Sequence, residues 1–256
     1  MDFTLTVYRR LLETLKSAGY TFCRLEDYLS EAPEGKFVIL RHDVDRKPGF
    51  SLAAAKLEHE LDIRASYYFR IVKCSFHVPV IREIAAMGHE IGYHYEDLAA
   101  SHGDMETAIR TFETHLEGLR EFYPVRTVCM HGRPTSGWDS RDLWKRYDYR
   151  DFDLTGEPYF DIDFTDVFYL TDTGRSWNNR KMNVRDRVSM GSVHAGTYFK
   201  STGEIITAVE SGDFPHRVML NTHPERWTDS PLPWLKQYLW QNLKNIIKRI
   251  IVNRNS

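Results

Sequence analysis

The sequence predicts an α/β fold built from βα units around a parallel sheet, and three observations carry that expectation. Apolar runs of strand length alternate with stretches of helical periodicity through the first half. Four strand candidates end in Asp, His or Arg, and the C-terminal strand ends are where a parallel barrel gathers its functional groups. The 256 residues suffice for one large α/β domain, and no internal repeat, low-complexity segment or linker divides them.

Tyr8, Leu11, Leu12 and Leu15 follow helical spacing, and Gly19 can end that helix. Phe37-Val38-Ile39-Leu40 reads as a buried strand. Pro48 opens a helix carrying Leu52, Ala55, Leu57 and Leu61. Ala65 to Phe69 is the next strand, and Pro79-Val80-Ile81 leads a helix through Ile84 and Met87 that Gly88 stops. A short strand, Glu90 to His94, precedes a helix from about Asp104 to Phe122. Val125 to Met130 is strand-like. Tyr147 to Arg180 lacks helical periodicity and reads as short strands and loops. Gly203 to Ser211 is a short helix, Arg217 to Leu220 a last strand, and Pro231 and Pro233 introduce a final helix over about residues 231–253.

The formal charge of −2 gives no basic field to recruit nucleic acid. Cys23, Cys74 and Cys129 form no CxxC pair, so reduced thiols are expected rather than a disulfide framework. The N-terminus lacks a basic n-region and a continuous apolar h-region, and no apolar run has spanning length. A cytoplasmic location is therefore expected.

The chemistry begins at Arg41-His42-Asp43-Val44-Asp45. If the strand geometry persists, Asp43 and Asp45 point the same way, and two such carboxylates repel unless a cation, a proton or an arginine intervenes. Further strands end at His94, at His131 and Arg133, and at His223. Carboxylate mixed with imidazole suits a borderline divalent cation, zinc first, with cobalt, nickel or manganese as alternatives.

These residues resemble the polysaccharide deacetylase family, also called the NodB-homology or carbohydrate esterase 4 family. Asp43-Val44-Asp45 looks like a variant of its first motif, Gly88-His89-Glu90-Ile91-Gly92-Tyr93-His94 is similar to its second, and Arg133-Pro134-Thr135-Ser136-Gly137 to its third. Leu220-Asn221-Thr222-His223-Pro224 looks like the last motif, and Asp172 to Trp177 stands for the fourth, which pairs an acidic residue with a tryptophan. The resemblance implies a distorted (β/α)7-type barrel, a single domain over residues 1–256 with a C-terminal amphipathic helix. It implies Asp43 as catalytic base, Arg133 as the arginine holding it and His223 as general acid. Asp45 and His94 are the implied metal ligands, and Asp172, Arg175 and Trp177 the substrate-binding group.

One position departs from the pattern. The family has a second metal-binding histidine four residues after the first, and here that residue is Leu98. His131, His102 and His89 are the substitutes; His131 is favoured because it sits at a strand end two residues before Arg133. The implied reaction is metal-dependent removal of an N-acetyl group from an acetamido sugar. The substrate would be a nucleotide-linked or lipid-linked glycan in surface polysaccharide biosynthesis, O-antigen or capsule in type. A small amide or cyclic imide as substrate, and a catalytically idle glycan-binding protein, are the alternatives. Trp177, Tyr159, Phe160 and Trp138 can stack on sugar rings, although core packing is the commoner use. The last helix sets aromatic and aliphatic residues among Lys236, Lys244, Lys248, Arg249 and Arg254. Packing on the barrel is expected, with peripheral contact to the inner face of a membrane as the alternative.

Overall fold

The computed structural model describes residues 1–133, 136–177, 188–194 and 196–254, with side chains of the final helix as far as Leu243. Pro134 and Thr135 of the third motif lie outside the described residues. The elements run α1 (Leu5–Ser17), β1 (Thr21–Cys23), α2 (Leu25–Ser30), β2 (Phe37–Val44), α3 (Pro48–Glu60), β3 (Ser66–Phe69), α4 (Val78–Ala86) and β4 (Glu90–Tyr95). They continue with α5 (Asp97–Ala100), α6 (Met105–Arg120), β5 (Val128–Met130), α7 (Pro158–Asp161), β6 (Phe168–Thr171), α8 (Thr202–Ser211), β7 (Arg217–Thr222) and α9 (Pro231–Arg254).

The expected helices form for local reasons. Thr4 Oγ1 accepts from the Val7 N–H at 3.2 Å and opens α1, whose Tyr8, Leu11, Leu12 and Leu15 are buried. Gly19 then turns the chain at φ +84°, a conformation that costs glycine nothing. Asp104 Oδ1 caps α6 from the Glu106 N–H at 3.0 Å, and Pro48 supplies the first turn of α3. The sequence reading passed over β1 and α2, which are too short to show a period. Among the described residues the middle segment contains short 3-10 turns, α7 and the strand β6.

Among the described residues seven parallel strands form one curled, half-barrel sheet: six run in the order β5-β4-β3-β2-β7-β6, and β1 joins β2 off that path. β1 pairs the first half of β2, from Thr21↔Phe37 to Cys23↔Ile39. β3 pairs the second half, from Arg41↔Ser66 to Val44↔Phe69. β7 runs along the other side, with Arg41 opposite Asn221 and His42 opposite Thr222.

Strand alternation divides the interior into two cores. Phe37, Ile39, Tyr68, Cys129, Tyr169 and Met219 fill the concave side of the sheet. Val38, Leu40, Tyr67, Ile91, Val218 and Leu220 face the helices. The concave side therefore receives the odd-numbered residues of β2 and β7 and the even-numbered residues of β4. Gly92 is required there: a Cβ at that position would come within 2.3 Å of the Tyr68 ring. Asp43, His94 and His223 lie at the mouth of the concave side by the same parity.

Candidate metal centre and active site

β2 remains regular through Val44, so Arg41 and Asp43 share a face. Both are buried, Arg41 at 1% and Asp43 at 4% exposure. Arg41 Nε and Nη2 donate to the two Asp43 oxygens, each at 2.8 Å, and Asn221 Nδ2 donates to Oδ2 at 3.0 Å. Burial alone would raise the Asp43 pKa. The Arg41 cation, helped by His94 and His223, outweighs it and holds the carboxylate well below its usual range.

Asp45 lies just past the strand. Its Oδ1 is 3.6 Å from His94 Nε2 and 3.4 Å from His131 Nε2. These three donors lie within 4.8 Å of one another, the spacing at which one ion can be held. The surrounding hydrogen bonds fix which ring nitrogens are open. His94 Nδ1 is 2.9 Å from the Cys129 carbonyl, and His131 Nδ1 is 2.9 Å from Glu96 Oε2. A carbonyl or carboxylate only accepts, so each Nδ1 carries a proton and each Nε2 turns a lone pair toward Asp45. Burial is the main influence on His94 and pulls its pKa down to about 4, which keeps the ring neutral. Glu96 is anchored in turn by Arg70, whose Nε donates at 3.1 Å. Burial raises the Glu96 pKa, but His131 and Arg70 bring it down to about 2.

The set fits a divalent ion. Asp45 Oδ1 is buried with no hydrogen-bond partner among the described residues, and an anionic oxygen in that state requires a cation. Carboxylate with two imidazoles matches zinc or a neighbouring transition metal. A second grouping, Asp43, His94 and Cys129, meets the same distance criterion but uses an aspartate already engaged by Arg41 and Asn221.

His223 completes the site from the end of β7. Its Nδ1 is 2.7 Å from Asp172 Oδ1, and its Nε2 is 3.9 Å from Asp43 Oδ2. Asp172 also accepts from the His223 N–H at 3.1 Å, Arg226 Nη1 at 2.8 Å and Trp227 Nε1 at 2.8 Å. Burial and Arg226 lower the His223 pKa; Asp172 and Asp45 raise it more, to about 8. Protonated at neutral pH, His223 presents an acidic N–H toward Asp43 and the open mouth.

The structure brings Asp43, Asp45, His94, His131 and His223 together and moves several other expected residues. Arg41, not Arg133, holds Asp43. Arg133 is 42% exposed in its side chain and lies 3.6 Å from Glu96. Asp172 is wholly buried and orients His223 instead of meeting a substrate. The tryptophan bonded to it is Trp227, whereas Trp177 is a core residue whose Nε1 donates to Thr202 Oγ1 at 3.1 Å. Arg175 lies against the Phe3 and Trp234 rings, at 5.1 and 4.9 Å. Leu98 is core in α5, and His131, not a residue of that helix, stands beside Asp45 and His94.

His89 sits at the opposite end of β4, bonded to the Ala65 N–H and the Ala55 carbonyl, and His102 is exposed at φ +51°. Of the candidate stacking residues, Tyr159 lies under the Arg41 and Arg141 guanidiniums, at 5.5 and 4.9 Å, while Trp138 packs against Gly103. Arg41, Asn221 and Glu96 were not singled out from the sequence. Each stands two residues from a recognised position, on the same face of its strand or just beyond the strand end, and that parity is the signal that could have found them.

No protein-family model and no curated protein matches the chain. Among solved structures, the chain is similar to a wild-type CE4 family pseudoenzyme from Bacillus anthracis, with 14% identity and a TM-score of 0.43 over 82% of this chain and 61% of the other. Two crystal structures of mutants of that pseudoenzyme, one with restored enzymatic activity, give the same identity and TM-score over 63% of their chains. This chain thus spans less than two thirds of the length of the protein it resembles. The chain itself shows a parallel, curled half-barrel sheet with Asp43, His94 and His223 at its strand ends, consistent with a distorted (β/α) barrel.

Proposed function

We propose that the protein is a divalent-metal-dependent hydrolase that removes the N-acetyl group from an acetamido sugar carried on a nucleotide or a lipid, in the assembly of a surface polysaccharide. The observation that carries this reading is the pairing of two opposed functions across one mouth. Asp43 is a buried carboxylate held ionised, and His223 is an imidazole held protonated, 3.9 Å away. Asp45, His94 and His131 would hold the divalent ion. When bound, that ion, zinc by its donor set, supplies Lewis acidity and makes a water nucleophilic near neutral pH.

Asp43 accepts a proton from the attacking water, and Arg41 and Asn221 keep it anionic and aimed for that transfer. The water oxygen bonds to the acetamide carbon. As the C–N bond breaks, His223 delivers its Nε2 proton to the departing amine. Asp172 holds the imidazole in the orientation and tautomer this requires. The products are acetate and a free amino sugar.

The test is acetate release from metal-loaded protein, screened over nucleotide sugars, lipid-linked glycans, chitooligosaccharides, small amides and cyclic imides. Release from an acetamido sugar that disappears on chelation and returns with zinc is the expected result. Turnover confined to small amides or cyclic imides would move the substrate class and keep the machinery. Metal binding with no turnover on any of these would leave a glycan-binding role.

A further inference from the structure

The last helix places its apolar residues on the outside of the molecule. Trp234 ties α9 to the domain: its Nε1 donates to the Asp2 carbonyl at 2.8 Å, and its ring stacks on Tyr238 at 5.2 Å between centroids. Leu232, Leu235, Leu239 and Leu243 are instead 80, 48, 59 and 48% exposed. Their spacing of three and four residues aligns them along one stripe. In the sequence that spacing continues through Ile246 and Ile250. An amphipathic helix at the surface of a domain ordinarily turns such a stripe inward, so an outward stripe calls for an occupant.

Charge selects the occupant. After Asp229 the chain carries Lys236, Lys244, Lys248, Arg249 and Arg254 and no acidic residue. A second copy of the helix would bring only like charges alongside, without the acidic partners that such pairs use across their seams. Ile247 and Ile251 also make the apolar set wider than a coiled-coil seam. An anionic bilayer surface satisfies both properties together: acyl chains receive the leucine stripe, and headgroups receive the cations. Among the described residues no helix is long and apolar enough to cross a membrane, which leaves lying on the surface as the mode of contact.

We infer that α9 docks the protein on an anionic lipid surface through Leu232, Leu235, Leu239 and Leu243. The root of the helix is wired to the catalytic mouth. Arg175 lies 4.9 Å over Trp234 and donates to the Arg226 carbonyl at 3.1 Å, and Arg226 binds Asp172, the partner of His223. This inference does not depend on the reaction proposed above.

Co-sedimentation of the full chain with vesicles tests it, using phosphatidylcholine alone against phosphatidylcholine mixed with phosphatidylglycerol. Binding to the mixed vesicles that weakens as salt is raised is expected. The triple variant Leu235→Asn, Leu239→Asn, Leu243→Asn should lower partitioning by about tenfold or more while keeping the wild-type circular dichroism, since these side chains are exposed. Lys236→Gln and Lys244→Gln should each lower partitioning by about fivefold, on the mixed vesicles only. Wild-type protein that stays in the supernatant with the mixed vesicles at low salt would overturn the inference. So would a dimer in sedimentation velocity that the leucine variant dissociates, since the stripe would then belong to a second copy.

Discussion

Two buried acid–base clusters share strand β2 and face opposite ways. On the helix side, Glu58 accepts from Tyr8 Oη at 2.6 Å and Tyr67 Oη at 2.7 Å and meets His42 Nε2 at 2.9 Å, while Thr222 bonds His42 Nδ1 at 2.7 Å. On the concave side, Asp45 has His131 and His94 at 3.4 and 3.6 Å and no hydrogen bond to its Oδ1 among the described residues. One carboxylate accepts from two tyrosine hydroxyls that the protein itself provides. The other is surrounded by lone pairs, with the donors turned away to hold Cys129 and Glu96. A cluster that closes on itself holds a fold together, and a cluster left open by its own second layer of hydrogen bonds is prepared for something else to enter.

The strongest way to break this comparison is to neutralise one acid on each side. Asp43→Asn should lower turnover about 10²–10⁴-fold with metal content retained, because it removes the proton acceptor. Near-wild-type turnover in that variant sinks the general-base role. Glu58→Ala should do the reverse: about 3–5 kcal/mol of stability lost in denaturant melts, since two tyrosines and His42 lose a common buried partner. If the protein keeps its midpoint, the helix-side cluster is not structural. Glu96→Ala sharpens the point, with metal affinity falling about 10–100-fold by titration against a chelator although Glu96 is not itself a ligand.

Acid stability follows from the shifts on both faces. Burial raises the Glu58 pKa, but His42 and its hydrogen bond bring it below the ordinary 4.5. A carboxyl with a depressed folded pKa contributes stability above its unfolded value and loses it as pH falls through the folded one. His94, held neutral at about 4 against an ordinary 6.5, acts in the same direction, because the unfolded chain takes up its proton first. Both push the protein to unfold on acidification, and urea midpoints measured from neutral pH down to acid should fall accordingly. His223 runs the other way. Its folded pKa of about 8 lies above the ordinary 6.5, so its stabilising contribution is complete below 6.5 and disappears above about 8. If His223 is the general acid, as proposed, the alkaline limb of a kcat/KM profile should fall near pH 8. Asp172→Asn should move that limb toward 6.5. The smallest effect belongs to Arg133→Ala, expected within about 0.5 kcal/mol of wild type in stability. Arg41→Ala should far exceed it in lost activity. Equal effects of the two would return Asp43's partner to the loop after β5.

Much of the fold and half of the site were legible before any coordinates. Helical spacing at Tyr8 to Leu15, the apolar run at Phe37 to Leu40 and the closing glycines are local signals, and local energetics honours them. Asp43, Asp45, His94, His131 and His223 were legible because they recur at strand ends. Arg133, Asp172 and Trp177 were placed by motif position, and position in a motif does not report which neighbour a side chain reaches. Trp177 and Trp227 have the same chemistry; only the packing of the chain around Phe3 decides that one fills the core while the other bonds Asp172.

By itself, then, the sequence determined the alternation of strands and helices, the parity that gives β2 one face of Asp and Arg and one of His and Val, and the residue types able to hold an ion. These follow from periods of 2 and 3.6 and from side-chain chemistry. Tertiary structure alone decided that Arg41 and Asn221, on neighbouring strands, share one carboxylate, and that the donor atoms of Asp45, His94 and His131 come within 4.8 Å of one another. It also decided that the leucines of α9 face outward. Each of these depends on which distant segments lie side by side, and a one-dimensional pattern contains no term for that.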